Sequence, residues 1–404
     1  MTLRKWGVIG LGIALSTAGS GPASAQSDQA QRLQLELSGR TYHAAVCAHG
    51  NPAGTARCFA HVVTDARGNI ENGKPNANQP PAGYGPTDLK AAYAIPTGSG
   101  TPTIAIVDAY GYANAEADLG VYRAAFGLPA CTTANGCFKK VDQNGGTSYP
   151  RDDTGWSQES ALDLDMASAA CPNCKIVLVE AKTNSFTNLM AAVTYAKTIP
   201  GVRAISNSYG GSDSSSLAAY DSTYSASNIA ITASTGDSGY GAQFPATSPG
   251  VVAVGGTSLT KSGSGYSESA WNGAGSGCGL GHAKPTWQNG VTDACAGRME
   301  ADISAVADPN TGVAVYGPSS RRGSSWMVFG GTSASAPLIG AMFALRDGAI
   351  NAASSIYSHT TALHDVTTGS NGSSCPVNYY CHAGPGYDGP TGLGTPNGLG
   401  AFSN

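Results

Sequence analysis

Charged side chains are scarce in this chain of 404 residues and make up only 12% of it. An average soluble protein has about 25%. The formal net charge is −4, and lysine and arginine form no run that could contact phosphate groups. These absences exclude a nucleic-acid-binding function that depends on basic patches. Disorder is excluded as well, because 41% of the residues are hydrophobic.

Long apolar runs are also absent, and the longest stretch extends only from Trp6 to Leu15. This is well short of the ~20 residues that span a bilayer, so we expect a soluble protein with no membrane partner. Arg4 and Lys5 precede the stretch and Ala23-Ser24-Ala25 follows it, as in a secretory signal peptide. The sequence therefore predicts a signal peptide over residues 1–25 and a secreted, extracellular protein; the alternative is a short membrane anchor.

Cysteine, in contrast, is well represented, with ten residues. In an oxidising compartment we expect these residues to form disulfides. Proximity along the chain gives the simplest pairing as a hypothesis: Cys47/Cys58, Cys131/Cys137, Cys171/Cys174, Cys278/Cys295 and Cys375/Cys381. The third pair has the spacing of a redox or zinc motif, but no second pair with that spacing supports this alternative.

Turn-forming residues are abundant, with 55 glycines and 22 prolines. Residues 26–85 are polar and irregular and end in a Pro/Gly/Asn-rich stretch, which is typical of a leader or linker. Beyond them, β-branched runs alternate with helical patterns, which predicts one α/β domain over residues 86–404: a parallel sheet with helices on both faces. The predicted strands are 103–107, 175–179, 203–206, 229–232 and 251–254, and the predicted helices are 115–126, 186–197 and 215–225. Sites in such sheets lie beyond the carboxyl ends of the strands.

The sharpest local signal for chemistry is Phe329-Gly-Gly-Thr-Ser333-Ala-Ser-Ala-Pro337, followed by an apolar run. The glycines allow a tight turn, and the run predicts a buried helix, so Ser333 is expected at a helix N-terminus with an exposed hydroxyl. Backbone N–H groups there can stabilise negative charge on an attacked carbonyl oxygen. An ordinary N-cap serine is the alternative.

A nucleophilic serine needs a base, and none of the seven histidines lies in a recognisable His-Gly-Thr-His type of motif. Carboxylates are the next candidates. A predicted helix over 156–170 places Glu159 and Asp163 one turn apart on one face, with apolar neighbours that indicate burial of at least one of them. Such a pair can share a proton, with Glu159 as the general base and Asp163 orienting it. Asp165 lies off that face and is expected to be solvated.

A third carboxylate, Asp237, follows a predicted strand in Ser234-Thr-Gly-Asp237-Ser-Gly239. Alone, this is a common aspartate turn. In an acidic medium, however, a protonated Asp237 could donate a hydrogen bond to an oxyanion.

With these three motifs in this order, the chain resembles the sedolisins, the serine-carboxyl peptidases, from about Tyr84 to the C-terminus. The resemblance implies a subtilisin-like fold and an acid-acting endopeptidase that hydrolyses protein or peptide substrates, and we expect a monomer. It implies that Ser333 is the nucleophile, Glu159 the general base, Asp163 its support and Asp237 part of the oxyanion hole. Because Glu159 must be ionised while Asp237 is protonated, activity is expected to fall toward neutral pH.

The resemblance also implies one structural Ca²⁺ near the C-terminus. Two carboxylates and three backbone carbonyls would supply five oxygens, and one water would complete the minimum of about six that Ca²⁺ needs. The matching residues are Asp365, Val366, Gly384, Gly386 and Asp388. A glycine-rich surface loop with aspartate turns is the alternative.

Two features depart from the sedolisin pattern. Sedolisins typically have a prosegment large enough to form its own domain, whereas only residues 26–85 precede the catalytic part here; we expect removal between Asn69 and Tyr84. Asp108 stands where a subtilisin has its triad aspartate, and without the partner histidine motif we expect a structural role for it.

Two other functions remain open from the sequence. One is a subtilisin-type peptidase that uses an unrecognised base, His282 or His364. The other is a secreted, catalytically silent binding module, because a fold does not guarantee activity.

Overall fold

A computed structural model of the chain describes residues 35–38, 41–48, 52–70, 81–98, 100–320, 323–346 and 352–403. These residues belong to the unit Gln34–Asn404. The predicted signal peptide lies outside the described residues. Within them, no helix is both long enough and apolar enough to cross a membrane.

The strands of the first half of the chain are β1 Leu35–Ser38, β2 Thr41–Ala45, β3 Arg57–Cys58, β4 His61–Thr64, β5 Thr103–Ala109, β6 Phe138–Asp142, β7 Lys175–Ala181, β8 Val202–Asn207 and β9 Tyr209–Ser212. Those of the second half are β10 Ala230–Ser234, β11 Gln243–Phe244, β12 Val252–Ser262, β13 Gly265–Ala270, β14 Gly277–Ala283, β15 Gly297–Glu300, β16 Ile303–Val306, β17 Val313–Ser320, β18 Gly323–Gly330, β19 Leu363–His364 and β20 Thr395–Pro396.

The α-helices are α1 Pro86–Ala92, α2 Ala115–Ala125, α3 Thr154–Ala170, α4 Phe186–Ala196, α5 Thr332–Leu345 and α6 Ala352–Ser358. Short 3₁₀-helices cover Ser215–Tyr224, Thr286–Gln288, Pro309–Thr311, Thr360–Ala362, Asn378–Tyr380 and Gly400–Phe402. The helix predicted over 215–225 therefore forms, but with the tighter 3₁₀ geometry.

The main sheet has the strand order β13-β12-β10-β8-β5-β7-β6, with β16 also paired to β12. The pairs are parallel except that of β12 with β13. Alternate residues of β5 show that both faces are covered: Ile104 and Ile106 join one buried cluster, and Ala105 and Val107 the other. The expected subtilisin-like α/β fold, a mostly parallel sheet between two layers of helices, is confirmed.

Helices α3 and α5 pack against each other on one face of this sheet. Asp153 begins α3 by accepting a hydrogen bond from the Trp156 amide at 3.0 Å, as an N-cap residue does. Every residue of α5 is buried. Both helices are therefore held by tertiary packing along their whole length, which fixes the side chains that they present to the site.

The expectation that residues 26–85 are irregular is wrong for the part that the structure describes. Strands β1, β2 and β4 form an antiparallel sheet that continues through β18 to β17, in the order β1-β2-β4-β18-β17. The short strand β3 pairs with β9. These strands therefore pair with strands of the domain predicted over residues 86–404 and are not a free linker.

All five hypothesised disulfides are present, namely Cys47–Cys58, Cys131–Cys137, Cys171–Cys174, Cys278–Cys295 and Cys375–Cys381. The Cys171–Cys174 pair is therefore a disulfide in this structure. The Cys47–Cys58 bridge joins two points of the N-terminal segment, close to β2 and within β3.

Candidate active site

Polar groups meet where three neighbouring parallel strands end. Asp108 lies near the end of β5, Ser208 directly follows β8, and Asp237 comes three residues after β10. Strands β5, β8 and β10 are adjacent in the sheet, so their carboxyl ends open onto one region. Helices α3 and α5 bring the remaining side chains to this edge.

Ser333 is the second residue of α5, after Gly331 at the N-cap and Thr332. Gly331 has φ +95°, a left-handed conformation that glycine adopts without strain. Its hydrogen also leaves room for the carbonyl oxygen of Phe59, which a Cβ at this position would overlap. The serine hydroxyl donates to the carbonyl of Ser208 at 3.3 Å.

Glu159 and Asp163 lie one turn apart on α3, and both are fully buried. The Ser208 hydroxyl donates to Asp163 Oδ1 at 2.7 Å. The predicted shared face and burial of this pair are confirmed. Ser208 thus connects the two helices, because its hydroxyl contacts Asp163 while its carbonyl accepts from Ser333.

The carboxylates at this edge of the sheet are buried, and burial raises their pKa values. Burial raises the pKa of Glu159 well above its usual range, and the charge of Asp108 raises it further. The Ser333 hydroxyl opposes this rise in pKa, so it lies beside the Glu159 carboxylate. Burial, then Asp108 and Glu159, likewise raise the pKa of Asp163. At least one proton is therefore held between these groups, as expected for closely spaced buried carboxylates.

A structural role was expected for Asp108, and its position also gives it an electrostatic effect on Glu159. Its Oδ2 accepts a hydrogen bond from the Ser160 hydroxyl at 2.8 Å, on the same helix as Glu159. Burial raises the pKa of Asp108 to about 7, with Ser160 opposing the rise. The sequence signal was its position at the end of β5, next to the strands that carry the other site residues.

Asp237 lies at the N-terminus of α5, where the Thr332 amide and hydroxyl each donate to its Oδ1 at 2.8 Å. Burial raises the pKa of Asp237 to about 7, against these two hydrogen bonds. His61 Nε2 is 3.4 Å from the other oxygen, Oδ2. One carboxyl oxygen of Asp237 is therefore held by the helix, and the second faces the N-terminal segment.

The N-terminal segment covers the site. The Phe59 amide donates to the Ser208 carbonyl at 3.3 Å, the same oxygen that Ser333 contacts. The Ala60 amide interacts with Glu159 and opposes the rise in its pKa. Ser333 is accordingly fully buried, so the expected exposed hydroxyl is wrong for this form of the chain.

Comparison with known proteins bears directly on this arrangement. Residues 151–371, more than half of the chain, match the subtilase family. Kumamolisin of Bacillus sp. (strain MN-32) is 32% identical over an alignment of 362 residues that covers 79% of this chain and 63% of kumamolisin. Sedolisin of Pseudomonas sp. (strain 101) is 28% identical over an alignment of 360 residues that covers 78% of this chain and 60% of that sedolisin.

A solved structure agrees with these relatives. Pseudomonas sedolisin, a serine-carboxyl proteinase complexed with two molecules of pseudo-iodotyrostatin, has a TM-score of 0.64 and 25% identity to this chain, covering 78% of it and 95% of the sedolisin chain. The chain belongs to the sedolisins, within the subtilase family. It spans about three fifths of the length of the curated relatives that it matches.

The two histidines considered as alternative bases are not arranged for that role in this sedolisin. Both ring nitrogens of buried His282 lie near carboxylates, Nε2 at 2.9 Å from Asp213 and Nδ1 at 2.8 Å from Asp221. These contacts raise its pKa to about 9 despite burial. His364 is exposed on β19. The histidine that does reach the site, His61, lies in the segment interpreted as a leader.

Asp165 was expected to be solvated, and this is wrong. It is buried, and its Oδ2 accepts a hydrogen bond from the Tyr316 amide of β17 at 2.9 Å. Burial raises its pKa well above the usual range. Helix α3 is covered on more than one face, because β17 packs against it as well as α5.

The residues expected to bind Ca²⁺ lie on two loops joined by hydrogen bonds. The Gly386 amide donates to Asp365 Oδ2 at 2.9 Å, and the Gly384 amide donates to Asp388 Oδ2 at 3.2 Å. Asp388 is fully buried. Burial raises its pKa to about 7, and the nearby charge of Asp365 contributes to this rise. A buried carboxylate beside a second one suits a hard cation with oxygen ligands.

The buried acids predict that this sedolisin is more stable in acid than at neutral pH. Burial raises the pKa of Asp108 and of Glu180 to about 7, whereas unfolded carboxyls titrate near about 4. The folded state therefore binds more protons between these values, so stability present at pH ~4 is lost as pH rises through ~7. We expect the melting temperature of a Ser333→Ala protein to fall across this range in calorimetry.

Asp108→Asn provides the control for that prediction, since it removes one of the titrating groups and keeps the size of the side chain. Its melting temperature should decline less steeply with pH than that of the parent. A parent protein whose melting temperature rises from pH ~4 to ~8 would contradict the burial of protonated carboxyls.

Proposed function

We propose that the chain is the precursor of a secreted, acid-acting serine-carboxyl endopeptidase. The observation that carries this proposal is the convergence of Ser333, Glu159, Asp163 and Asp237 at one end of the sheet, in contact with one another directly or through Ser208 and Thr332. The relatives support a serine-type peptidase. That the peptidase acts in acid and is secreted is part of our proposal for this chain.

In the proposed reaction, Ser333 Oγ attacks the peptide carbonyl carbon while Glu159 takes the hydroxyl proton. Asp163, which accepts a hydrogen bond from Ser208, shares a proton with Glu159 and keeps the Glu159 side chain oriented. Protonated Asp237 donates through its second carboxyl oxygen to the oxyanion. Glu159 then returns its proton to the leaving amine, and water hydrolyses the acyl-enzyme by the same steps in reverse order.

The position of β3 supports a peptide as the substrate. Arg57 and Cys58 pair antiparallel with Gly210 and Tyr209 of β9, and the chain then continues past Ser333 at Phe59. When this segment leaves, the edge of β9 becomes available for an extended peptide, which is the mode of strand addition. The segment thus occupies the place that a substrate strand would take.

The proposal requires removal of residues 26 to about 85 before a substrate can reach Ser333. The expected cut between Asn69 and Tyr84 falls largely on residues 71–80, outside the described residues. Strand β4 and the strands before it lie upstream of that cut, so one cleavage separates the covering segment from the domain. N-terminal sequencing of the secreted protein that returned only Gln26 would contradict removal.

The decisive experiment is hydrolysis of a denatured protein by the purified, processed protein from pH ~3 to ~8. We expect cleavage in acid that declines as pH rises through ~7, because Asp237 loses the proton it must donate. Equal rates at pH ~4 and ~8 would refute the role of a carboxylic acid in the oxyanion hole. No cleavage at any pH by processed protein would indicate a silent binding module.

We also propose one structural Ca²⁺, held by the carboxylates of Asp365 and Asp388 and by the carbonyls of Val366, Gly384 and Gly386. The ion would offset the two neighbouring negative charges and fasten the loops to each other. It takes no part in the chemistry at Ser333.

Chelation tests this calcium site. A ligand present at about 1,000 times its Kd stabilises the folded state by about 4 kcal/mol, so removing calcium from the Ser333→Ala protein should lower its melting temperature by several degrees. Asp388→Asn should abolish the difference between calcium and chelator. An unchanged melting temperature of the parent on chelation would remove the site from the proposal.

A further inference from the structure

A second group of metal-ligating side chains lies in the N-terminal segment. Glu36, His43 and His61 each offer one ligand atom, and these three atoms lie within 4.8 Å of one another. His43 and His61 are buried, and Glu36 is half-buried. None of the three belongs to the catalytic group or to the calcium loops.

Strand register brings these three residues to one face of the N-terminal sheet. Glu36 of β1 is directly opposite His43 of β2. His61 of β4 is opposite Ala45, which is two residues from His43 and therefore on the same face. Three adjacent antiparallel strands thus contribute one ligand each, so the group is fixed by backbone hydrogen bonds and not by a single loop.

The two imidazoles contact each other through Nδ1, at 2.9 Å. Two N–H groups cannot face each other at this distance, so at least one ring is neutral and presents a lone pair. Two nitrogens on a tetrahedral ion with bonds of about 2.0 to 2.1 Å lie roughly 3.3 Å apart. Small movements of the rings would therefore let an ion replace the shared proton.

The surroundings of this cluster favour a cation. His61 Nε2, the ring nitrogen that does not contact His43, is 3.4 Å from Asp237 Oδ2. A carboxylate in that position orients metal-bound histidines and fixes which nitrogen is protonated. Asp308 and Glu36 add negative charge near His43. Glu36 and Asp237 also interact electrostatically with the positively charged Arg57.

We propose that Glu36, His43 and His61 form a binding site for a divalent transition metal of the Zn²⁺ type, with a water as the fourth ligand. Two imidazoles and one carboxylate are ligands that zinc accepts with an open position. The ion would join β1, β2 and β4 at the end that contacts Asp237. It would therefore stabilise the sheet of the covering segment, and removal of that segment would remove the site from the domain.

The test uses the full chain with Ser333→Ala, so that binding is measured without self-cleavage and independently of the proposed peptidase function. After chelation and dialysis, Zn²⁺ is titrated by calorimetry and the bound metal is counted after gel filtration. Co²⁺ is then added as a spectroscopic probe. We expect one ion per chain and a visible Co²⁺ absorption typical of imidazole ligands, which the all-oxygen calcium loops would not produce.

Variants decide whether these residues hold the ion. His43→Gln removes one ligand and should weaken Zn²⁺ binding by more than the about 10- to 100-fold that follows loss of an outer partner. His359→Gln, on a histidine outside this cluster whose Nδ1 lies 2.9 Å from the Ser355 carbonyl, should leave binding unchanged. If His43→Gln does not fold, Glu36→Gln at the half-buried position replaces it.

Either of two results would overturn the proposal. One is a folded Ser333→Ala protein that retains no Zn²⁺, which would leave the two histidines as a simple hydrogen-bonded pair. The other is equal Zn²⁺ affinity in His43→Gln and His359→Gln, which would place any bound ion elsewhere.

Discussion

Ser333→Ala is expected to lower kcat/KM of the processed protein for a peptide at pH ~4 by about 10⁴- to 10⁶-fold, the range found when a serine peptidase loses its nucleophile. The reason is geometric. Ser333 is at the start of α5, beside the Glu159 carboxylate and at the carboxyl ends of the central strands. Within the described part of the chain, Ser333 carries the hydroxyl that lies beside this carboxylate.

Glu159→Gln should cause a loss of similar size, because the amide keeps the shape of the side chain but cannot accept the serine proton. The double variant with Ser333→Ala should be hardly slower than either single variant, since residues that act as one unit are strongly non-additive. Steady-state rates for the three proteins, each processed by an added protease if self-processing is lost, provide the measurement.

Ser335→Ala is the matched control on the same helix. Its hydroxyl is buried like that of Ser333 but donates only to the Thr332 carbonyl, at 3.1 Å. We expect activity within a few-fold of the parent. If Glu159→Gln stays active while Ser333→Ala does not, another group is the base and the carboxylate mechanism is wrong.

Much of the catalytic part could be predicted because its patterns are local. The alternation of β-branched runs and helices gave the sheet, and the i, i+4 spacing with apolar neighbours gave a buried Glu159 and Asp163. The glycines before Ser333 predicted a tight turn, and Gly331 does adopt a positive φ. Each of these signals is contained within about ten residues of sequence.

The remaining features depend on contacts between distant segments, which local patterns do not contain. Asp165 is buried because β17, some 150 residues away, packs on α3. Residues 35–64 look polar and irregular, yet β4 gains its partners from β18 and β3 from β9. His43 and His61 come together only through that strand pairing, so no motif indicated them.

The largest effect on stability is expected at Arg298, which is fully buried beside Asp302. Its guanidinium also donates to the carbonyl of Val251 at 3.0 Å, and the Asp302 carboxylate accepts from the Ala253 amide at 2.8 Å. The pair thus fastens the turn after β15 to the start of β12. Arg298→Met would leave Asp302 as a buried carboxylate without its cation, which costs about 3 to 5 kcal/mol in proteins.

This cost should depend on pH, because burial raises the pKa of Asp302 even with Arg298 in place. Without the arginine the carboxyl can escape the penalty by keeping its proton, so Arg298→Met should be less damaging at pH ~4 than at pH ~7. Denaturant unfolding of the Ser333→Ala background at both pH values measures this. Adding Asp302→Asn should recover part of the loss at pH ~7, since the uncompensated charge is then gone.

The exposed pair of Lys261 and Asp88, 2.7 Å apart with Lys261 about half exposed, is the matched control. Lys261→Met breaks it in solvent, where such pairs contribute about 0 to 1 kcal/mol. At pH ~7, Arg298→Met should therefore be clearly less stable than Lys261→Met. If Arg298→Met unfolds at the same denaturant concentration as Lys261→Met, the buried pair does not hold the turn after β15 against the sheet.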